Sequence, residues 1–421
     1  MAPQAELDYP TLDDLWELEP GRVRSVEITN YRSIKATTLN LQPFTVLAGA
    51  NGAGKSNVVD VFRFVSEALS LGLYPALERR GGIQAVRHKV PSGGGRQRTV
   101  EIKMSLDFQE KASAEYQFRI ISGPRGSYRV GEERIELWTR NRHQFGLVHL
   151  KNGEPRQKPL LLLQETYARG EGWTDWFGPR LGRFGKEALA LPFVASVPGF
   201  ENVFHTLRQM RSYAIVPDLL REPQDPDEGF VLHADGRNAS SVWQELSAAK
   251  KDELVAMLGH AVPGVEDVKT LRYGRKRGFE FLQAAGGSKR ISFEGHQMSD
   301  GTLRLFGIIL GLLQPRDSSV VAIEEPEASL HVAALEALIE LIRSRVGPRE
   351  IILTTHSPDL IDFISPKELR IVRRHRGNTV VSEVSDHSKR MVREELFTLG
   401  ELHRVGGLRA EDEPASLPPG S

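Results

Sequence analysis

The chain has 421 residues, 40% hydrophobic and 26% charged, the balance of a soluble globular protein with room for two compact units or one large one with insertions. Its 55 basic and 55 acidic side chains cancel, so no global field draws it onto nucleic acid or an anionic membrane. The absence of cysteine excludes disulfides, thiolate metal sites and cysteine nucleophiles, and no apolar run approaches the ~20 residues of a membrane span, so a cytoplasmic protein without a membrane partner is expected.

Residues 1 to 21, acidic and proline-bearing, are unlike a signal peptide and read as an arm or short helix. From Arg22 to Leu47 alternating residues predict two strands, followed by a buried strand, "FTVLAG". "GANGAGKSN" comes next, and then a helix, "NVVDVFRFVSEALSLGL". Residues 79 to 98 are basic and glycine-rich and read as a surface loop, while "TVEIKMSLDF", "AEYQFRII", "ERIELW" and "GLVHLK" predict an antiparallel sheet grafted onto the core. Between 160 and 290 the pattern is mixed. "FENVFHTLRQMRSYAI" and "SVWQELSAAKKDELVAMLGHAV" have helical spacing, and "FVLHADGRNA" reads as strand and turn. After the strand-like "KRISFEG", helix "LRLFGIILGLL", strand "SVVAIEE", helix "HVAALEALIELIRSRV" and strand "EIILTTH" alternate, which argues for a parallel sheet. The tail "RAEDEPASLPPGS" has the composition of a disordered segment.

Four stretches carry chemistry. Gly49 to Ser56 match G-x-x-x-x-G-K-[ST] between a strand and a helix. Glycine lets successive N–H groups turn inward onto phosphate oxygens; Lys55 reaches the β and γ phosphates, and Ser56 offers its hydroxyl to Mg²⁺. "VVAIEEPEASLH" ends an apolar strand in Glu324 and Glu325, with a proline and a third acid following. Unpaired buried carboxylates are costly, so these emerge at the carboxyl ends of parallel strands, Glu324 on the metal side and Glu325 as the base that takes a proton from attacking water. In "QMSDGTLRL", Ser299, Asp300 and Gly301 open a helix; they suit either a second anion contact, reaching nucleotide held by another copy, or plain N-capping. "EIILTTHSP" delivers His356 to the same sheet edge, either to touch the γ phosphate or as a satisfied histidine.

The order of these motifs resembles the ABC-class ATPase heads of the SMC, RecF and OLD group, over residues 22 to 375. "NYRSIKATTLNLQPFTVLAGANGAGKSN" is similar to the start of that group, "MSDGTLRL" to its signature, "VVAIEEPEASLH" to its Walker B and D-loop, and "LTTHSP" to its H-loop; "YAIVPDLLREP" and "LHADGRNASSVWQEL" are similar to the stand-alone members. The resemblance implies an α/β P-loop NTPase head over residues 22 to 385. An antiparallel β lobe and a helical lobe (99 to 290) would lie between Walker A and the signature, with a C-terminal helix and disordered tail over 386 to 421. It implies ATP and Mg²⁺ as cofactors and an ATP-sandwich dimer or higher oligomer. Gly49, Asn51, Gly52, Ala53, Gly54, Lys55, Ser56 and Asn57 of one protomer would bind nucleotide, with Arg32 near it. Ser299, Asp300 and Gly301 of the other would cover the γ phosphate. Ser329 and Leu330 would lie at the seam, Lys55, Glu325 and His356 would carry catalysis, and Ser56 and Glu324 the metal.

The sequence departs from the family pattern in three respects. Glu324 stands where aspartate is usual, only Gln84 offers itself as the glutamine loop, and neither a coiled-coil arm nor a C-terminal Toprim nuclease is expected. The implied function is a switch ATPase gating a separately encoded nuclease or toxin in phage defence. The alternatives are a RecF-like repair ATPase clamping DNA through Arg79, Arg80, Arg87, Lys89, Arg96 and Arg98, or a slow-turnover, nucleotide-dependent scaffold.

Overall fold

The computed structural model describes residues 10–16, 18–89, 99–109, 111–156, 160–161, 185–286, 289–314, 318–347 and 349–412. Strands in chain order are β1 (Arg22–Tyr31), β2 (Ile34–Asn40), β3 (Phe44–Ala48), β4 (Thr99–Phe108), β5 (Ala112–Ser122), β6 (Tyr128–Thr139), β7 (Gln144–Lys151), β8 (Glu154–Pro155), β9 (Leu160–Leu161), β10 (Arg211–Tyr213), β11 (Val265–Tyr273), β12 (Lys276–Ala284), β13 (Arg290–Glu294), β14 (Val320–Glu324), β15 (Glu350–Thr355), β16 (Leu369–His375) and β17 (Asn378–Glu383). Five helices bear on the site: α1 (Lys55–Ser70), α2 (Asp300–Leu312), α3 (Val332–Arg343), α4 (Pro358–Ile361) and α5 (Leu399–Arg404).

The continuous apolar runs become the central sheet. Every residue of β3 and of β15 is buried, as are the first four of β14, because helices cover both faces of a parallel sheet. The order is β10-β14-β15-β3-β16-β17, parallel from β10 to β16 and closed by antiparallel β17. This arrangement aligns the carboxyl ends of β3, β14 and β15, from which the three predicted site segments emerge. α1 buries Val58, Val59, Val61, Phe62, Val65 and Leu69 in one core; α2 buries Leu303, Phe306, Ile309 and Leu310 in the other.

The alternating strands form a lobe, β2-β1-β4-β5-β6-β7-β8 with β9 beside β7, and β4 and β5 bury every second residue. The lobe is not merely grafted on. β1 and β2 belong to the same sheet, and the Val381 N–H of β17 donates to Thr37 Oγ1 (3.2 Å), joining it to the central sheet. A third sheet, β11-β12-β13, lies in the stretch read as mixed.

Three expectations are corrected. The helical spacing of 200 to 215 ends at Arg208, and Arg211–Tyr213 is instead the edge strand β10, because parallel pairing with Val321–Ile323 and burial of Tyr213 outweigh local helix preference. "FVLHADGRNA" makes bends and turns without a strand; Asn238 holds it by accepting from the His233 N–H (2.8 Å) and donating to Val231 O (2.9 Å). The basic stretch is not wholly a surface loop. Ile83–Val86 is helical, and Arg80 is turned inward between Asp60 (2.9 Å) and Glu67 (2.5 Å), while Arg96 and Arg98 lie outside the described residues. No helix among the described residues is long and apolar enough to cross a membrane.

One buried acid of the lobe gives a measurable pH dependence. Glu133 on β6 is 1% exposed and accepts from Tyr116 Oη (3.0 Å) and the N–H groups of Ala190 (2.5 Å) and Leu191 (3.0 Å). Burial outweighs those bonds and pushes its carboxyl up to about 7; burial does the same to Glu350, also to about 7. The folded chain therefore keeps protons that the unfolded chain releases between about pH 4.5 and 7. Stability from these groups is present on the acid side and lost as pH rises through 7, on the order of 3 kcal/mol each. Glu133→Gln should remove about half of this slope. Denaturant titrations at pH 5 and 8 check it, and an unchanged difference between wild type and variant would contradict the assignment.

Candidate nucleotide site

The phosphate loop, Gly49 to Ser56, leaves β3 and enters α1 without a side-chain cap; Gly54 precedes the helix in the left-handed region, φ 106°. First-turn N–H groups without a capping side chain, at the positive end of a helix, suit an anion. Close approach explains two glycines. A Cβ on Gly49 would lie 2.0 Å from Val372 O, and one on Gly54 2.0 Å from Thr379 Oγ1. Behind the loop is a brace that the motif alone does not reveal. Thr379 of β17 donates to Ala53 O (2.8 Å) and bonds Ser33 Oγ (2.7 Å), Asn57 donates to Ser33 (2.6 Å), and Arg374 donates to Gly52 O (3.0 Å). Asn51 and Gly52 remain exposed.

Lys55 is buried and curls back on the loop, donating to Gly49 O (2.8 Å) and Ala50 O (3.3 Å). Burial lowers its pKa; Glu325, Glu327 and Glu324 oppose that shift, which puts all three carboxylates within electrostatic reach of the ammonium. Glu324, the last residue of β14, lies within electrostatic reach of the Ser56 hydroxyl. Its pKa is raised by burial first and then by Asp60 and Glu325, with Ser56 and Arg63 opposing. Glu325 follows with φ 43°, a backbone state that side chains seldom adopt, held by its N–H on Thr354 O (3.0 Å) and Thr354 Oγ1 (3.2 Å). Its carboxylate lies 3.5 Å from His356 Nδ1, and both groups are half exposed.

Glu327, the third acid of the motif, has no role assigned from the sequence. It is buried, accepts from Thr355 Oγ1 (2.5 Å) and from the His356 N–H (3.4 Å), and so ties the D-loop to the H-loop. Its adjacency to Glu324 and Glu325 was visible; its bond to Thr355 was not. Arg32 pairs with Asp60 (2.9 Å) and reaches Asn57 (3.5 Å), one turn along α1 from the loop. Gln84 is exposed and bonds Ser122 Oγ (3.3 Å) at the end of β5.

The signature residues engage a different part of the chain. Ser299 caps its own helix, accepting from the Thr302 N–H (3.2 Å), and Asp300 pairs with Arg221. Gly301 sits against the D-loop, where a Cβ would lie 2.4 Å from Ser329 O, with Ser329 at φ 66° and Leu330 alongside. Within one chain, then, Lys55, Ser56, Glu324, Glu325 and His356 converge, while Ser299 and Asp300 bond elsewhere.

Among the described residues no three His, Cys, Asp or Glu side chains are grouped to hold a metal by themselves. A cation here would take a hydroxyl, a carboxylate, water and phosphate oxygens, and the Ser56–Glu324 pair fits Mg²⁺ on those terms.

Residues 44–362 match the family described as "AAA domain, putative AbiEii toxin, Type IV TA system". The chain is 22% identical over 374 residues to the Old nuclease of Escherichia phage P2, covering 81% of this chain and 57% of the nuclease, so it spans little more than half of that relative. A crystal structure of an Smc head bound to the C-winged helix domain of ScpA superposes with a TM-score of 0.51 at 14% identity, over 87% of this chain and 98% of that one, a likeness of fold. With most of its length inside the family match and a phosphate loop, paired acids and histidine at the carboxyl ends of one parallel sheet, the chain belongs to this AAA-domain family and has the P-loop NTPase fold of an SMC head.

Proposed function

We propose that the chain binds and hydrolyses ATP as a switch, closing two heads around nucleotide and releasing them on hydrolysis. The observation that carries this reading is the convergence of Lys55, the Ser56–Glu324 pair, Glu325 and His356 on one sheet edge. In this reading residues 22 to 385 form the head, with the β and helical lobes of 99 to 290 inserted between phosphate loop and signature. The loop from Gly49 to Asn57, with Arg32 beside it, takes the triphosphate. Glu325 accepts a proton from the attacking water, and His356, 3.5 Å away, orients at the terminal phosphate. Mg²⁺, when bound, neutralises charge on the phosphate oxygens.

Ser299 and Asp300, whose bonds go to Thr302 and Arg221 rather than to the loop of their own chain, and Gly301 beside them, are assigned to the nucleotide of a partner head. Because Gly301 rests on Ser329, closure at the signature moves the D-loop, and through Glu327 the H-loop. Kinship with the Old nuclease and with a family described by a toxin supports a role in phage defence, in which nucleic-acid cleavage or toxicity belongs to a nuclease or toxin subunit gated by this head.

One observation keeps the DNA-clamp reading in play. Arg32, Arg80, Arg87, His88, Lys89 and Arg374 line a cavity of about 440 Å³. Arg79 and Arg80, however, are paired with Glu67, which leaves fewer cations for phosphates than the sequence suggests.

The test is phosphate release together with solution mass. Slow, Mg²⁺-dependent turnover and a shift from monomer to dimer with a non-hydrolysable ATP analogue are expected. Nucleotide-dependent assembly with no turnover would favour the scaffold. DNA binding that falls steeply with salt would favour the clamp.

A further inference from the structure

The signature turn carries an acid of its own. Ser299 caps α2, and Asp300 and Gly301 are the first residues of the helix, whose leading N–H groups attract an anion. Asp300 suits that helix, because a carboxylate in the first turn is favourable against the dipole. It does not suit a phosphate brought to the same N–H groups, since two anions would then share one positive end.

Arg221 answers that acid. Its guanidinium pairs with both Asp218 and Asp300. It is the last residue of the short helix Pro217–Arg221, inside "YAIVPDLLREP", a stretch to which the site so far gives no task. The chain there is firmly mounted. Leu220 is buried, and a Cβ on Gly295, in the turn that leads into the signature, would lie 3.1 Å from both Leu220 O and Arg221 O. Gln224 exchanges backbone bonds with Arg277 (2.9 and 3.0 Å), and its side-chain amide donates to Leu219 O (2.7 Å) and Gly236 O (3.0 Å). The side chains of Arg221 and Asp300 are 24% and 52% exposed, so the pair lies at a surface that a second head can meet. An exposed pair of this kind adds little to the stability of a fold.

We propose that Arg221 is a positioning residue of the signature: paired with Asp300, it cancels the acid's charge and holds the Ser299–Gly301 turn so that its N–H groups can take the terminal phosphate of nucleotide in a partner head. This rests on the reading of the site as an ATP site closed by two heads, and it adds the cation that such a signature needs. Without Arg221 the turn presents an uncompensated carboxylate to a polyanion. With it, the side-chain pair is neutral and the helix end keeps its pull on phosphate.

The experiment measures dimer formation by sedimentation with a non-hydrolysable ATP analogue and Mg²⁺. It compares wild type, Arg221→Gln, Arg221→Lys, Asp300→Asn and the double variant Arg221→Gln/Asp300→Asn, with circular dichroism as a check of fold. Arg221→Gln keeps an N–H donor but not the charge, and should weaken dimerisation about tenfold. Arg221→Lys keeps the charge and should lose less than about threefold. Asp300→Asn breaks the same pair by removing the acid, and should strengthen dimerisation about threefold. The double variant should return to within about threefold of wild type. The deficit of Arg221→Gln relative to Asp300→Asn should shrink as salt rises from about 0.05 to about 0.5 M, because it is like-charge repulsion. A pair that only staples two segments would make Arg221→Gln and Asp300→Asn fail alike, without recovery in the double variant. That result overturns the inference, as does an Arg221→Gln that dimerises like wild type or fails to fold; each leaves the ATP-switch reading standing. A wild type that binds the analogue without dimerising overturns this inference together with the closure of two heads.

Discussion

Lys55→Ala is expected to abolish measurable ATP turnover and to weaken nucleotide binding at least tenfold, while the chain remains folded. In the structure the Lys55 ammonium is a buried cation facing three carboxylates, Glu325, Glu327 and Glu324, and parked on the Gly49 and Ala50 carbonyls. A triphosphate in the loop offers better acceptors than those carbonyls, so the ammonium can exchange one set for the other with little movement. Alanine removes a charge-assisted bond of about 1.5 to 3 kcal/mol from the bound state. It also removes the cation that stabilises charge developing at the transferred phosphoryl group, a further factor of roughly 10² to 10³ in rate. The neighbouring acids are left without their cation, so Glu324, already raised by burial, takes up a proton more readily. Fluorescent-nucleotide titration and phosphate release measure the two effects, and circular dichroism checks the fold. A variant that still turns over ATP at the wild-type rate would remove the phosphate loop from the chemistry.

Much of this site was legible because its residues are forced together by local rules. The runs "FTVLA", "VVAIE" and "EIILTT" read as strands because a parallel sheet buried on both faces leaves no room for alternation. The phosphate loop read as such because its full motif lies between a strand and a helix; in the structure Gly49 and Gly54 answer close approaches by Val372 and Thr379. What stayed hidden depends on distant partners. β10 contains Arg211 and Ser212 and becomes a strand only through pairing with β14. In the sheet β11-β12-β13 Val265, Val268, Phe279 and Phe281 are buried in the core and Phe293 packs against it, among many charges, so the period-2 signal is diluted. The Thr379–Ser33–Asn57 brace joins three parts of the chain that no motif links, and Arg80, counted as a surface cation, is folded into the Asp60–Glu67 pair.

Glu325→Gln should bind ATP more tightly than wild type, hydrolyse it about 10²- to 10⁴-fold more slowly, and accumulate as an ATP-bound dimer. Gln preserves the size of the side chain, and the backbone bonds that hold residue 325 at φ 43°, from its N–H to Thr354 O and Oγ1, do not involve the side chain. What is lost is the basic oxygen 3.5 Å from His356 and one of three negative charges around Lys55. The first loss stops proton acceptance from water. The second relieves repulsion between the acid cluster and a polyanionic ligand, so binding gains as chemistry fails. Because the Ser299–Gly301 turn leans on Ser329, two residues beyond Glu327, a nucleotide that is never cleaved keeps signature, D-loop and H-loop in one closed arrangement. Sedimentation with ATP and Mg²⁺ should then show dimer for Glu325→Gln under conditions where wild type returns to monomer. Glu324→Gln should behave differently, losing the carboxylate beside Ser56 and with it Mg²⁺ dependence, rather than trapping ATP. If Glu325→Gln turns over normally, or stays monomeric with ATP bound, the base lies elsewhere or the nucleotide does not join two heads.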